Sequence, residues 1–195
     1  MPKQKPCTHF WRERLNGKEF YCTGCLARTQ IEASEPVKEQ SMTPEPTIEV
    51  INIKIDPTKT FDELVVAGEY DWENSNIIEK NFPLGPIPEG KELVRVRFNR
   101  YLPNRDAVIN ERKKFGLEPV TSIAFILTVG AGLPDLQKED PINDIDSVWS
   151  RPGGHVDFPY LWCGDDTRAL RLRWYGRDFG ASEWVLALRN ITPKS

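Results

Sequence analysis

The sequence predicts an α+β protein, on three observations. Short runs with a period of two recur near the C-terminal end: Leu170, Leu172 and Trp174 alternate with Arg171 and Arg173, and Trp184, Leu186 and Leu188 alternate with Val185, Ala187 and Arg189. That period is the mark of half-buried strands. Two stretches carry helix-start and helix-stop chemistry, Thr60-Phe61-Asp62-Glu63 and Asn104 through Gly116. Finally, 195 residues is a little over one average domain, which suits one compact α+β domain with an appendage better than two full cores.

The hydrophobic content of 39% is low, and the deficit is uneven. Residues 31–46 hold Pro36, Pro44, Pro46 and four glutamates, with almost no large apolar side chain. Such a composition buries too little surface to offset its ordering entropy, so the segment reads as a flexible acidic linker. It separates a module of residues 1–30 from a main domain of residues 47–195. The net charge is -3, yet residues 1–30 carry six lysines and arginines against two glutamates, so only that module is basic. No run of eighteen apolar residues occurs, and Met1-Pro2-Lys3-Gln4-Lys5-Pro6 lacks the apolar core of a signal peptide. A cytoplasmic location without membrane contact is the expectation.

In the N-terminal module, Cys7-Thr8-His9 and Cys22-Thr23-Gly24-Cys25 flank a segment containing Asn16-Gly17, a two-residue hairpin signal. Three thiolates and one imidazole, from Cys7, His9, Cys22 and Cys25, are a donor set for tetrahedral zinc, although the one-residue Cys-x-His spacing is shorter than usual. Four protein ligands fill the coordination shell, so the zinc-ribbon-like module predicts structural Zn2+. The other reading is a redox Cys-x-x-Cys pair, which wants a strand-to-helix setting in a packed domain. Phe10, Trp11, Phe20 and Tyr21 can pack on the metal as a small core; beside Arg12, Arg14 and Lys18 they could also stack on bases and grip phosphates.

In the main domain, Ile48 to Ile55 reads as a strand by its alternating isoleucines. Thr60 to Glu63 is a capping box opening a short helix that Gly68 stops in the left-handed position. Tyr70 to Asn74 is a loop with two large aromatics, Phe82 to Gly90 is irregular, and Glu92 to Tyr101 is a strand with Val94, Val96 and Phe98 on one face. Asn104 caps a helix over residues 105–115 that buries Val108, Ile109 and Phe115, with Arg112-Lys113-Lys114 as a solvated last turn. Thr121 to Val129 suits a buried strand and a buried helix, the helix being preferred. Leu133 to Asp146 is a polar loop. The two alternating runs around residues 175–182 then form an antiparallel hairpin, indoles and leucines inward, arginines outward.

His155 and Cys163 are the main domain's single histidine and cysteine, with Asp157, Asp165 and Asp166 nearby. A Cys-His-Asp nucleophilic set, a second metal site and a calcium site are conceivable there; no helix start lowers the thiol pKa, and EF-hand spacing is absent. From Arg151 to Ser182 the non-core positions are rich in Gly, Asp, Tyr, Trp, Arg and Ser, a mix like that of antibody loops.

Residues 60–190, through Glu69-Tyr70-Asp71-Trp72-Glu73-Asn74, Leu133-Pro134-Asp135-Leu136-Gln137, Ser147-Val148-Trp149 and Leu170-Arg171-Leu172-Arg173-Trp174, resemble a group of small uncharacterised bacterial proteins. The final forty residues also resemble the C-type-lectin-like variable proteins of diversity-generating retroelements, without a Glu-Pro-Asn calcium motif or a disulfide pair. That resemblance implies a non-enzymatic binding protein whose C-terminal surface varies to meet different ligands, small or protein. Its implied contacts are His155, Asp157, Phe158, Trp162, Asp165, Asp166, Arg171, Arg173, Tyr175, Arg177 and Phe179. The alternatives are a nucleic-acid-associated protein that binds through its basic zinc module, and a Cys/His-dependent enzyme using His155 and Cys163.

Overall fold

The structure, a computed structural model, describes residues 44–191 and the backbone of three short strands before them. The chain divides into two compact units, residues 1–43 and 44–195. In the first, β1 (Trp11–Glu13), β2 (Phe20–Cys22) and β3 (Arg28–Thr29) form an antiparallel sheet in that order. Glu13 pairs with Phe20, so residues 14–19 connect the two strands; Asn16-Gly17, expected as a two-residue turn, lies outside the described residues. Cys7, His9 and Cys25, most of the linker, and the side chains expected to contact metal or nucleic acid lie outside the described residues.

The second unit mixes helices with one eight-stranded sheet. Its strands are β4 (Thr47–Val50), β5 (Trp72–Glu73), β6 (Lys91–Arg97), β7 (Ile142–Asn143), β8 (Trp149–Ser150), β9 (Val156–Gly164), β10 (Thr167–Trp174) and β11 (Trp184–Asn190). The order is β4-β6-β11-β7-β9-β10-β5, with β8 added to β9; β11–β7 and β10–β5 are parallel and the rest antiparallel. The helices are α1 (Phe61–Val66), α2 (Arg105–Lys114), α3 (Ala124–Gly132) and α4 (Leu136–Glu139). Among the described residues no helix is long and apolar enough to cross a membrane.

Local chemistry explains the helix ends. Thr60 Oγ1 accepts the Glu63 N–H at 3.3 Å while the Glu63 carboxylate accepts the Thr60 N–H at 2.8 Å, the reciprocal capping box that opens α1. Its stop differs from expectation: Glu69, at φ 45°, takes the left-handed position, and Gly68 is needed because a Cβ there would collide with the Tyr70 ring. Asn104 Oδ1 accepts the Ala107 N–H at 2.9 Å to start α2, and Gly116, at φ 66°, ends it. The preferred helix in the ambiguous apolar stretch is α3, buried along most of its length. Its first turn is capped from outside the helix by Ser122 Oγ, which accepts the Ala124 and Gly85 N–H groups.

The sheet has a core on each face. One joins Leu93, Leu161, Leu170, Trp184, Leu186 and Leu188 to Phe61 and Leu64 of α1 and to Phe125 through Val129 of α3. The other joins Val94, Val96, Val185, Ala187 and Phe158 to Val108 of α2, with Leu102, Leu117 and Phe179. Strand β11 is apolar on both faces because it is central, so Val185 and Ala187 are as buried as the residues they alternate with.

Several expectations are overturned. The two C-terminal strands are not a hairpin: β10 pairs with β9 and β5, and β11 with β6 and β7, away from each other in the sheet. Alternation along β10 is as read, yet Trp174 is 54% exposed, since the core ends before its last residue. Arg173 is buried, held by the Glu183 carboxylate and the Asp178 carbonyl. Arg112 is no solvated cation either: it makes a buried two-point pair with Asp146. Phe115, expected on the buried stripe, is 39% exposed at the C-cap of α2. The stretch read as a polar loop before Trp149 contains α4 and β7, with Ile142 through Ile145 buried. The first strand is shorter than expected, ending at Val50.

These placements order a mutant series. Trp184→Ala should lower unfolding free energy by about 3–5 kcal/mol through lost burial and a cavity. Arg173→Ala, which leaves Glu183 in a largely buried site, should cost on the order of 3 kcal/mol. Trp174→Ala should cost less than about 1 kcal/mol. Chemical denaturation of the three variants checks this order.

Candidate ligand surface

The antiparallel register of β9 and β10 sets Trp162 opposite Ala169, Tyr160 opposite Arg171 and Phe158 opposite Arg173, while the parallel register of β5 sets Trp72 beside Ala169. These residues share the face that α2 covers farther along the sheet. Toward the β5 end the cover stops, leaving Trp72 47% exposed and Tyr160, Trp162 and Arg171 half-buried.

The two arginines of this face, two residues apart, have different fates. Arg173 lies over Tyr160 and Phe179, 5.9 and 5.1 Å from the ring centres, and Glu183 neutralises it; Asn143 Oδ1 accepts a further bond from it at 3.2 Å. Phe179 in turn stacks on Phe158 at 5.9 Å and 11°. Arg171 lies between Trp72 and Trp162, 5.3 and 5.0 Å from their centres, and has no carboxylate partner among the described residues. Ring faces attract the cation without neutralising it, so the Arg171 charge remains available to a ligand.

The exposed indoles are positioned. A Cβ on Gly164 would collide with the Trp162 ring and a Cβ on Gly176 with the Trp174 ring, so each tryptophan lies back over the glycine two residues on. An indole seated on backbone loses little rotamer freedom when a ligand arrives. No family model, no curated protein and no solved structure matches the chain. The candidate site is therefore drawn from geometry alone.

That geometry sorts the expected contacts. Trp162 and Arg171 belong to the open face. Asp157, Phe158, Arg173 and Phe179 are buried and form its foundation, which removes them from an exposed binding surface. Asp157 pairs with Arg151, and Phe179 exchanges main-chain hydrogen bonds with Leu102. Asp165 and Asp166, at φ 47° and 61°, form the exposed two-residue turn between β9 and β10. Tyr175 donates to Asp106 at 2.6 Å under the Arg105 guanidinium, Arg177 is exposed near Asp178, and His155 lies edge-on to Trp174. Trp72 and Tyr160 complete the face without having been singled out as contacts from the sequence; for Tyr160 the available signal was its alternation with Phe158 and Trp162.

No nucleophilic set assembles from His155 and Cys163. His155 immediately precedes β9 and Cys163 is its second-last residue, so eight extended steps set them roughly 26 Å apart. Among the described residues no group of three His, Cys, Asp or Glu side chains could hold a metal ion. A groove of about 450 Å³ near β4 is lined by Ile51, Ile53, Ile55, Ile87, Phe125 and Leu188; of the charged groups on its lining, Lys91 pairs with Glu118 and Glu92 with Arg189.

One carboxylate is strongly perturbed. Asp144, fully buried beside β7, is pushed up to about 7 by desolvation, with the Asp146 charge adding to the rise; N–H donation from Asp146 and Ser147 only partly offsets this. The folded chain therefore holds this proton more tightly than the unfolded chain. The resulting stabilisation is fully present below the ordinary carboxylate pKa and is lost as pH rises toward and through about 7. Asp144→Asn should remove that loss, so its stability relative to the parent should rise by roughly 2–3 kcal/mol from pH 5 to pH 8, the rest of the effect falling below pH 5. Denaturation midpoints across that range test it.

Proposed function

We propose that residues 44–191 are a non-enzymatic recognition module whose ligand sits on the Trp72–Arg171–Trp162 face. The observation that carries this is the contrast between Arg173, closed off by Glu183, and Arg171, framed by two indoles and left with its charge unneutralised. Tryptophan, tyrosine and arginine are the residues that dominate protein recognition hot spots. The face is also flanked by exposed Asp71 and Glu73, and the unit as a whole carries more carboxylates than cations, which disfavours a polyanion and favours a protein segment with an isolated acidic group. On the resemblance to retroelement-diversified lectin-like proteins, the exposed positions of this face would differ among close relatives.

Peptides selected from a displayed random library against the full chain should lose about tenfold or more in affinity on Trp162→Ala and on Arg171→Ala. Gly164→Ala, which displaces the Trp162 indole without removing it, should have a similar effect, with melting temperature nearly unchanged for Arg171→Ala. Selected ligands indifferent to all three changes would overturn the reading.

The N-terminal unit is, in the same proposal, a structural zinc module. Its support is topological: because β1 and β2 are antiparallel with Trp11 opposite Cys22, the chain enters β1 and leaves β2 at one end of the pair. Cys7 and His9 precede β1, and Cys22 and Cys25 close or follow β2. Three thiolates and an imidazole there make a closed tetrahedral set. Metal analysis should find one zinc per chain, reduced in Cys22→Ser. Chelation should unfold the small unit and leave the main domain's transition in place.

A further inference from the structure

Strand β10 is longer than its cover. Strand β5 pairs only with Ala169 and Leu170, and the flanking bonds, Asp71 N–H to the Arg168 carbonyl and Asn74 N–H to the Leu170 carbonyl, take in no residue beyond 170. Which main-chain groups face that side follows from the register. The Asp144 N–H takes the Pro159 carbonyl on the β7 side of β9, so the Leu172–Pro159 pair is one whose main-chain groups face away from each other. The N–H and C=O of Leu172 thus point to the outer edge, in line with the carbonyls of Arg168 and Leu170, and they have no hydrogen-bond partner among the described residues. The Trp174 carbonyl, on the same edge, is already held by the Arg177 N–H.

An open edge is usually guarded by proline, charge or a covering segment. Here the opposite end of the sheet shows such a guard, since β4 is preceded by Pro44 and Pro46. The β10 edge from Leu172 to Trp174 has neither a proline nor a paired strand over it among the described residues. It is instead bordered by recognition chemistry: Arg171 between its two indoles on one face, and Trp174, seated over Gly176, on the other.

We propose that this edge accepts an extended segment of a partner protein as an added strand, continuing the line of β5, with an acidic side chain at Arg171 and an apolar one against Leu172 and Trp174. The inference rests on the assignment of the Trp72–Arg171–Trp162 face as the ligand surface and adds the backbone form of the ligand. Main-chain bonds to Leu172 supply register, and the alternating side chains of the added strand reach the two unlike faces, as strand addition requires. The acidic choice follows from Arg171, the cation on this border that lacks a carboxylate among the described residues.

The test uses the full chain and three capped eight-residue peptides: one alternating valine and threonine with a single central glutamate in place of one threonine, its lysine-for-glutamate counterpart, and the acidic peptide N-methylated at every second residue. Binding is read by tryptophan fluorescence and by hydrogen exchange at the Leu172 amide. The acidic peptide should bind and slow exchange at Leu172. The lysine and N-methylated peptides should each bind at least about tenfold more weakly, and Arg171→Glu should reverse the preference between the two charged peptides. Equal binding of the methylated and unmethylated peptides would overturn strand addition while leaving the face assignment standing. Loss of the acidic peptide's advantage without any effect of Trp162→Ala on library-selected ligands would sink the face assignment instead. Failure of the acidic peptide to bind at millimolar concentration overturns the proposal, as does a dimer of the protein alone that Trp174→Lys dissociates, which would give the edge to a second copy of the chain.

Discussion

Burial of β11 on both faces is the constraint from which the rest of this domain follows. A strand with Trp184, Leu186 and Leu188 on one side and Val185 and Ala187 on the other must have cover on each side. α1 and α3 supply it on one face and α2 on the other. Its hydrogen-bonding edges are filled by β6 and β7, which places the β9–β10 pair away from the centre. The outer strands then outrun the cover that α2 provides, and the aromatic face is the part of the sheet left over.

Planar cations close the margins of the two cores. Arg95 and Arg97 lie 4.1 and 4.6 Å over the Trp184 ring, and Arg95 also meets Glu49 and Glu139. Arg168 bonds Gln137 and the Gly130 carbonyl while lying over Tyr70, whose hydroxyl burial pushes up from its ordinary range. A guanidinium can rest on a ring and bond in its own plane at once, which an ammonium cannot. Among these stacked arginines, Arg171 is set apart by having rings on both sides and no acid among the described residues.

Features that depend on neighbours in sequence were legible without the structure. Thr60 with Glu63 and Asn104 with Gly116 each encode an event at a helix end. Strand partnership did not follow from the same alternation. Leu170 to Trp174 and Trp184 to Leu188 carry matching patterns, and period two states which residues share a face but not which strand lies alongside. Burial by a distant partner was equally hidden: Arg112 is taken inward by Asp146 and Arg173 by Glu183, 34 and 10 residues away. Trp174 shows the converse, since its phase with Leu170 and Leu172 was correct while the core beneath that face stops short of it. At the candidate site Arg171 was legible as an outward position of an alternating strand and Trp162 was named only through the resemblance, whereas Trp72 joins them only through a parallel pairing across nearly a hundred residues.

The turn between β9 and β10 consists of two residues, Asp165 and Asp166, both with left-handed backbone, joining Gly164 and Thr167. Such a turn fixes register rigidly, and a strand shifted by one position presents its opposite side. One extra residue here would carry Trp162 and Tyr160, or else Arg171 and Arg173, to the side now occupied by Leu161 and Leu170, separating the indole from the guanidinium it stacks on. This turn therefore tolerates exchange of one small polar residue for another but not insertion or deletion, so the face can be altered by substitution only on a frame of constant length.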